Sequence, residues 1–143
     1  VADVVVCNSD NEGWGLALTE AMMAGRPIIA TSIGGMQDQM MYGDRGDYGE
    51  WAFPLQVDSN NLIGNNTTPY IFESRVSIDQ LKDRLTETFN HTYEELSELG
   101  MKGREYALDA GHTDEQMAKT MRDSILKTLK NFEPRENLKV SKI

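Results

Sequence analysis

The order of a strand, a helix and a second strand near the start of the chain limits its fold more than any other feature. Residues 4–7 form a β-branched run that is typical of a buried strand. Good helix formers fill residues 13–24, and Gly25 stands where a helix usually ends. Residues 27–31 predict a second strand, because proline is tolerated at a strand's first residue. This spacing is typical of a right-handed crossover that places both strands parallel in one sheet.

The following residues extend this unit into a partial Rossmann-like α/β sheet of about three strands with helices. Gly34 and Gly35 predict a sharp loop, residues 36–41 a short helix, and residues 51–55 a third strand. We expect a strand-helix-strand core over 1–55, a long loop or insertion over 56–77, a helical part of the same domain over 78–130, and a tail over 131–143.

Apolar residues recur at helical spacing in the second half of the chain. One stripe consists of Ile78, Leu81, Leu85 and Phe89, a second contains Tyr93 and Leu96, and a third consists of Met117, Met121, Ile125 and Leu129. The third stripe follows Thr113-Asp114-Glu115-Gln116, a capping-box pattern in which Thr113 is the N-cap and Gln116 reaches back.

Composition excludes several classes of protein. The 143 residues carry a formal charge of −9, and residues 1–72 hold nine acids and two bases, so a basic surface for nucleic acid is not expected. A single cysteine, Cys7, excludes an internal disulfide, and no apolar run reaches the length of a membrane span. The two histidines, His91 and His112, lack partners at metal-ligand spacing. We expect a soluble, cytoplasmic protein without a metal, with peripheral membrane association as an alternative for a longer protein that contains this chain.

The segment from Glu12 to Glu20 carries the chemistry that can be predicted. It lies between the first strand and its helix, and ligands of open parallel sheets bind outside the carboxyl ends of the strands. Gly13 and Gly15 remove side-chain bulk where a diphosphate could approach backbone N–H groups at the helix start. Glu12 and Glu20 could grip hydroxyl-bearing rings on either side of a phosphate. Alternatively, Glu12 only favours the helix N-terminus and Glu20 is a solvated surface residue.

Taken together, the first 40 residues resemble the donor-binding motif of retaining glycosyltransferases of family 4, which are two-domain enzymes of the B-type fold. The resemblance rests on Ala2-Asp3-Val4-Val5-Val6-Cys7-Asn8-Ser9, on Glu12-Gly13-Trp14-Gly15-Leu16, on Glu20-Ala21-Met22, on Gly25-Arg26-Pro27-Ile28-Ile29-Ala30 and on Gly34-Gly35. It implies that the chain is the carboxyl-terminal part of the donor domain with a Glu-x7-Glu motif, and the β-branched opening of the chain agrees with an origin inside a domain.

Roles for individual residues follow from this resemblance alone. Glu12 would contact hydroxyls of the donor sugar, as the candidate catalytic residue in a positioning role, and Glu20 would hold the ribose. The resemblance places the remaining donor-binding positions in the entering loop and along the motif, at Ser9, Gly13, Trp14, Gly15, Leu16 and Ala17. The chain departs from the family pattern at Asn8, where proline is usual, at Trp14, where phenylalanine is more frequent, and at Asp38, where a glutamate often stands.

The resemblance also implies what this chain would lack and what it would bind. The donor would be a nucleotide-diphosphate sugar, with no cofactor or metal, and the acceptor a glycan, a lipid or a small molecule bound by a missing N-terminal domain. Basic side chains that hold the diphosphate would lie upstream, and neither Arg26 nor Arg45 matches them. Donor binding by amide dipoles alone would then be weak.

Two other functions are compatible with these residues. One is an inactive or degenerate module that binds nucleotide sugars or a partner without catalysis. The other is a different parallel α/β protein, such as a sugar-nucleotide epimerase, which is disfavoured because Gly13-x-Gly15 lacks a third glycine three residues further on.

Overall fold

The computed structural model describes residues 2–43 and 46–134. These described residues form two compact units, which divide between Ala110 and Gly111. The single helical part expected over 78–130 is therefore divided between the two units. The expected tail over 131–143 lies outside the described residues from position 135 onward, and so does Arg45.

A three-stranded parallel sheet forms the centre of the first unit. Its elements are β1 (Val5–Cys7), α1 (Leu16–Met23), β2 (Ile28–Thr31), α2 (Gly34–Met40) and β3 (Ala52–Leu55). The strand order is β1-β2-β3, with Val5 opposite Ile28 and Ile28 opposite Ala52. The predicted α/β class, with a partial Rossmann-like sheet of three parallel strands and helices, is confirmed.

Burial differs sharply between the strands. All four residues of β2 are buried, since this strand is covered on both faces and paired on both edges. The expectation that the first strand is buried is wrong for β1, where Val5 and Cys7 are half-buried and Val6 is 45% exposed. Within the described residues β1 pairs on one edge only, which leaves its other edge open.

Two apolar clusters hold the sheet in place. In the first, Leu18, Met22, Met36, Met40 and Trp51 pack together with exposures of 0–1%. Ile29, Phe53 and Leu55 form the second cluster, against which Val76, Leu81 and Leu99 pack. Both clusters join helical residues to strand residues, so burial of apolar surface, which contributes about 25 cal/mol per Å², couples the helices to the sheet.

The turn between α1 and β2 ends the helix as predicted. Gly25 has a φ of 66°, and its N–H donates to Met22 O while that of Arg26 donates to Ala21 O. These two bonds form a Schellman motif, which requires the left-handed conformation that glycine adopts readily.

The stretch over 56–77, expected to be a long loop or insertion, contains an antiparallel hairpin. Strands β4 (Ser59–Ile63) and β5 (Ile71–Arg75) pair with Ser59 opposite Arg75 and Ile63 opposite Ile71. The turn residues between the strands explain the error, because their asparagines and proline mark the tip of a hairpin as readily as an open loop.

Three helices complete the described chain: α3 (Ile78–Phe89) and α4 (Tyr93–Asp109) in the first unit and α5 (Asp114–Lys130) in the second. Thr113 accepts a hydrogen bond from the Gln116 N–H as predicted, whereas the complete capping box lies at Thr92 and Glu95. The predicted stripes of α3 and α5 are largely exposed, with Ile78 at 83% and Phe89 at 87%. None of the described helices is long and apolar enough to cross a membrane.

Candidate functional site

The candidate site is the junction of β1 and α1, at the carboxyl edge of the parallel sheet. Helix α1 begins at Leu16, three residues later than the pattern predicted. The cause is Gly15, which has a φ of 84° and precedes the helix as its N-cap in the left-handed conformation. Two features exclude a side chain at this position. The left-handed φ strains any residue other than glycine, and a Cβ would lie 2.6 Å from Met36 Cγ.

Backbone N–H groups are open at this junction. Within the described part of the chain, no acceptor lies against the N–H groups of Gly15, Leu16 and Ala17. Leu16 and Ala17 are exposed, and a Cβ added to Gly13 would meet nothing within 4 Å. Gly15 itself is buried, so the accessible part of the predicted positions 13–17 lies at Gly13, Trp14, Leu16 and Ala17. An anion could approach the unpaired donors of the helix start there.

The second glycine pair lies directly behind this segment. The sequence predicted a sharp loop at Gly34 and Gly35. In the structure these two residues instead begin helix α2. The Gly35 N–H donates to Gly13 O at 2.8 Å, and a Cβ on Gly34 would lie 2.3 Å from Glu12 O. The glycine pair is thus required by the close packing of α2 on the backbone of the motif.

A buried polar network, which the sequence analysis did not identify, joins α2 to the motif. Gln39 is 0% exposed, and its Nε2 donates to Trp14 O at 2.5 Å, with Gly15 O at 3.3 Å and Gly35 O at 3.4 Å. Its Oε1 accepts from Thr19 Oγ1 at 2.7 Å. A polar residue among apolar neighbours at 36 and 40 was the only signal in the sequence, and it did not show what the side chain contacts.

The two motif carboxylates lie in different surroundings. Glu12 is half-buried in the loop, and its Oε1 accepts from the Gly13 N–H at 3.0 Å. Glu20 lies on α1 and is exposed. The exposure of Glu20 fits both a contact with a bound ribose and the alternative that Glu20 is a solvated surface residue.

Polar side chains also follow the carboxyl ends of β1 and β2. Thr31 Oγ1 donates to Asn8 Oδ1 at 3.0 Å, and Ser9 Oγ lies 3.5 Å from Cys7 Sγ. Ser9 is half-buried and Asn8 is exposed. The structure therefore brings Ser9 to the same edge of the sheet as the Glu12 loop.

The hairpin β4–β5 is docked on the loop that leads into Glu12. The Ser74 N–H donates to Asp10 O at 2.7 Å, and Asn11 Nδ2 donates to Phe72 O at 3.4 Å. Arg75 pairs with Asp10 at 2.6 Å and with Glu73 at 2.7 Å. Because two carboxylates neutralise its guanidinium, Arg75 does not supply a free cation for a phosphate group.

Known proteins are similar to the part of this chain that contains the candidate site. Residues 1–47 match the family model described as "Glycosyl transferases group 1". The trehalose synthase of Thermococcus litoralis is 30% identical over 92 residues, which are 62% of this chain and 20% of that protein. The D-inositol 3-phosphate glycosyltransferase of Corynebacterium urealyticum is 47% identical over 45 residues, 32% of this chain and 11% of that protein.

Each of these relatives is matched over only part of its length. The trehalose synthase of Pyrococcus horikoshii is 42% identical over 45 residues, again 32% of this chain and 11% of that protein. The chain thus spans about a tenth to a fifth of the length of these relatives. Over its first 47 residues, which contain β1, α1, β2 and α2, this chain matches the group 1 glycosyltransferases.

Proposed function

We propose that the first unit of this chain is part of the donor-binding domain of a retaining glycosyltransferase. The observation that carries the proposal is the start of α1, where the described N–H groups of residues 15–17 have no acceptor. The positions around the buried Gly15 are exposed, and the half-buried carboxylate of Glu12 lies beside them. A diphosphate needs hydrogen-bond donors and a sugar ring needs acceptors for its hydroxyl groups, so a nucleotide-diphosphate sugar fits both features.

In the proposed reaction, most of the transition-state stabilisation acts on the leaving diphosphate. Substitution at the anomeric carbon with retention leaves negative charge on the diphosphate oxygens, and oriented N–H groups stabilise such charge where it develops. Glu12 would orient the donor sugar through its hydroxyls and Glu20 would hold the ribose. Neither residue is proposed to be a nucleophile.

The charge of this segment predicts weak binding by the chain alone. Residues 1–72 contain only two basic residues, Arg26 and Arg45, against nine acids. An anionic donor would therefore meet amide dipoles in an acidic surrounding, and we expect further cationic groups from an intact enzyme to raise its affinity. The acceptor, a glycan, a lipid or a small molecule, would bind to a separate domain.

Titration with nucleotide-diphosphate sugars tests the donor assignment directly. A panel of UDP-glucose, ADP-glucose and GDP-mannose would be added to this chain, and binding followed by calorimetry and by the NMR shifts of the amides over 13–17. We expect weak binding that shifts these amides. Binding without turnover in the intact protein would favour a non-catalytic nucleotide-sugar module, and no shift with any member of the panel would refute the donor site.

Replacing Glu20→Ala in the intact enzyme tests the ribose assignment. Loss of a hydrogen bond to a charged group costs about 1.5–3 kcal/mol, so the donor KM should rise about 10- to 100-fold. The matched control is Glu105→Ala, which removes an exposed carboxylate from α4 in the same unit. An unaltered donor KM in the Glu20 variant would show that the ribose assignment is wrong.

A further inference from the structure

The buried side chain of Gln39 is polar, yet it lies in the apolar surroundings of Met36, Met40 and Trp51. A buried amide without partners would destabilise the fold, and Gln39 avoids this cost by bonding to the motif. Three carbonyl oxygens surround one end of its amide and the Thr19 hydroxyl faces the other. Since carbonyl groups only accept, the NH2 end must face them, which fixes the orientation of the amide.

Gln39 is itself held through both its side chain and its backbone. Thr19 Oγ1 accepts from Trp14 Nε1 at 3.1 Å and donates to Gln39 Oε1, so α1 and the motif share one chain of hydrogen bonds. The Trp51 indole, 1% exposed, donates to the backbone carbonyl of Gln39 at 3.2 Å. Gln39 is thus anchored to the core, so its hydrogen bonds can hold the carbonyl groups of Trp14 and Gly15 in a fixed direction.

The contacts of Gln39 decide which way the neighbouring N–H groups point. In a trans peptide, the C=O of one residue and the N–H of the next point in opposite directions, and no cis peptide bond occurs among the described residues. Trp14 C=O points inward to Gln39, so the N–H of Gly15 points the other way. Gly15 C=O, which also accepts from the Leu18 N–H, sets the N–H of Leu16 in the same manner.

We propose that Gln39 is the positioning residue of this site, which holds the carbonyl groups of Trp14 and Gly15 inward and thereby presents the N–H groups of Gly15 and Leu16 to a diphosphate. This inference rests on the proposed function for the identity of the ligand. The inward hydrogen bonds themselves do not depend on it. Gln39 touches neither the sugar nor the reacting atoms and acts only through the motif backbone.

The test compares three variants of this chain: Gln39→Leu, Met40→Ala and Gln39→Glu. Gln39→Leu keeps the approximate size of the side chain and removes its hydrogen bonds, whereas Met40→Ala, from the neighbouring fully buried position on α2, destabilises the core without a polar contact to the motif. Affinity for the best-binding sugar of the panel is measured for variants that retain the folded spectrum. We expect Gln39→Leu to bind about tenfold more weakly and Met40→Ala to bind as the wild type does.

Gln39→Glu adds a second measurement, the pH dependence of donor affinity, which a merely structural role of Gln39 would leave unchanged. A protonated carboxyl keeps one donor for Trp14 O and one acceptor for Thr19, whereas an ionised one repels the carbonyl groups. Burial raises the pKa of such a carboxyl, so the affinity of this variant should rise as the pH falls from about 8 to about 5, while that of the wild type stays level. A parallel profile in both proteins would overturn the proposal.

The two hypotheses fail in distinguishable ways. If Gln39→Leu binds like the wild type, Gln39 does not position the motif, and the donor site stands. If the wild type binds no member of the panel, the donor site fails, and the positioning role is judged without ligand from the NMR chemical shifts of the Gly15 and Leu16 amides. Shifts that Gln39→Leu moves no more than Met40→Ala does would then overturn the positioning role as well.

Discussion

Replacing Gly35→Ala should separate α2 from the motif. Gly35 is buried, and a Cβ at this position would lie 2.6 Å from Trp14 Cε3 and 2.7 Å from both Gly13 O and Trp14 Cα. Two of these atoms belong to the backbone, which cannot move as a flexible side chain can. The added methyl group therefore requires α2 or the motif loop to shift, and the 2.8 Å hydrogen bond from Gly35 N–H to Gly13 O is strained or lost.

The expected loss of stability follows from three opposing effects. Overpacking of a tight contact costs about 1–3 kcal/mol, and loss of a hydrogen bond costs about 0.5–1.5 kcal/mol. Alanine in place of glycine within a helix returns about 0.5–1 kcal/mol. The packing cost is the largest of the three, so we expect a net loss of about 1–3 kcal/mol for Gly35→Ala.

Urea unfolding, followed by the fluorescence of the buried Trp51, measures this loss. Gly13→Ala is the matched control on the open side of the same contact, because a Cβ there meets nothing within 4 Å, and it should change stability by less than about 0.5 kcal/mol. Gly100→Ala, whose Cβ would lie 2.1 Å from Gly25 O, should destabilise the α1–α4 contact but leave the motif amides unshifted. Equal stability of Gly35→Ala and the wild type would refute the close-packing argument.

Two further predictions concern polar contacts outside the motif. Arg75→Ala should speed amide exchange in the hairpin severalfold while global stability falls by only about 0.2–1 kcal/mol, because the pair with Asp10 is half-exposed; exchange confined to global unfolding would contradict this. The Thr92 backbone and side chain lower the pKa of Glu95 from its ordinary 4.5, so the capping box stabilises the protein above that pH and loses this contribution as the pH falls through the lowered pKa. Thermal melts should accordingly show that the deficit in Tm of Thr92→Ala near neutral pH shrinks on acidification, whereas a constant deficit would speak against the ionic cap.

Local patterns predict the parallel core of this protein well. β-Branched runs, a helix-terminating glycine and a strand-initiating proline each act over a few residues, and β1, α1, β2 and β3 form close to the expected positions. The error at the start of α1 is also local, since the pattern places Gly15 inside the helix although its left-handed φ makes it the N-cap.

Contacts between distant residues are not predictable in the same way. The hairpin over 59–75 lies in a stretch expected to be a long loop or insertion, because its asparagines and proline predict a turn but not which flanking residues pair. Its docking on Asp10 joins positions more than 60 residues apart. The stripe on α3 is correctly periodic, but periodicity does not reveal that Ile78 and Phe89 remain exposed.

For the candidate site, the sequence by itself determined which residues stand at the end of β1 and that glycines remove side-chain bulk there. It also determined the likeness to glycosyltransferases, which the match over residues 1–47 supports. Only the tertiary structure decided which N–H groups point outward. That direction depends on Gln39, which lies 25 positions beyond Trp14 and reaches it because α2 packs against the motif through Gly34 and Gly35. Peptide orientation is set by the partners of the carbonyl groups, and those partners are brought together by packing across the chain.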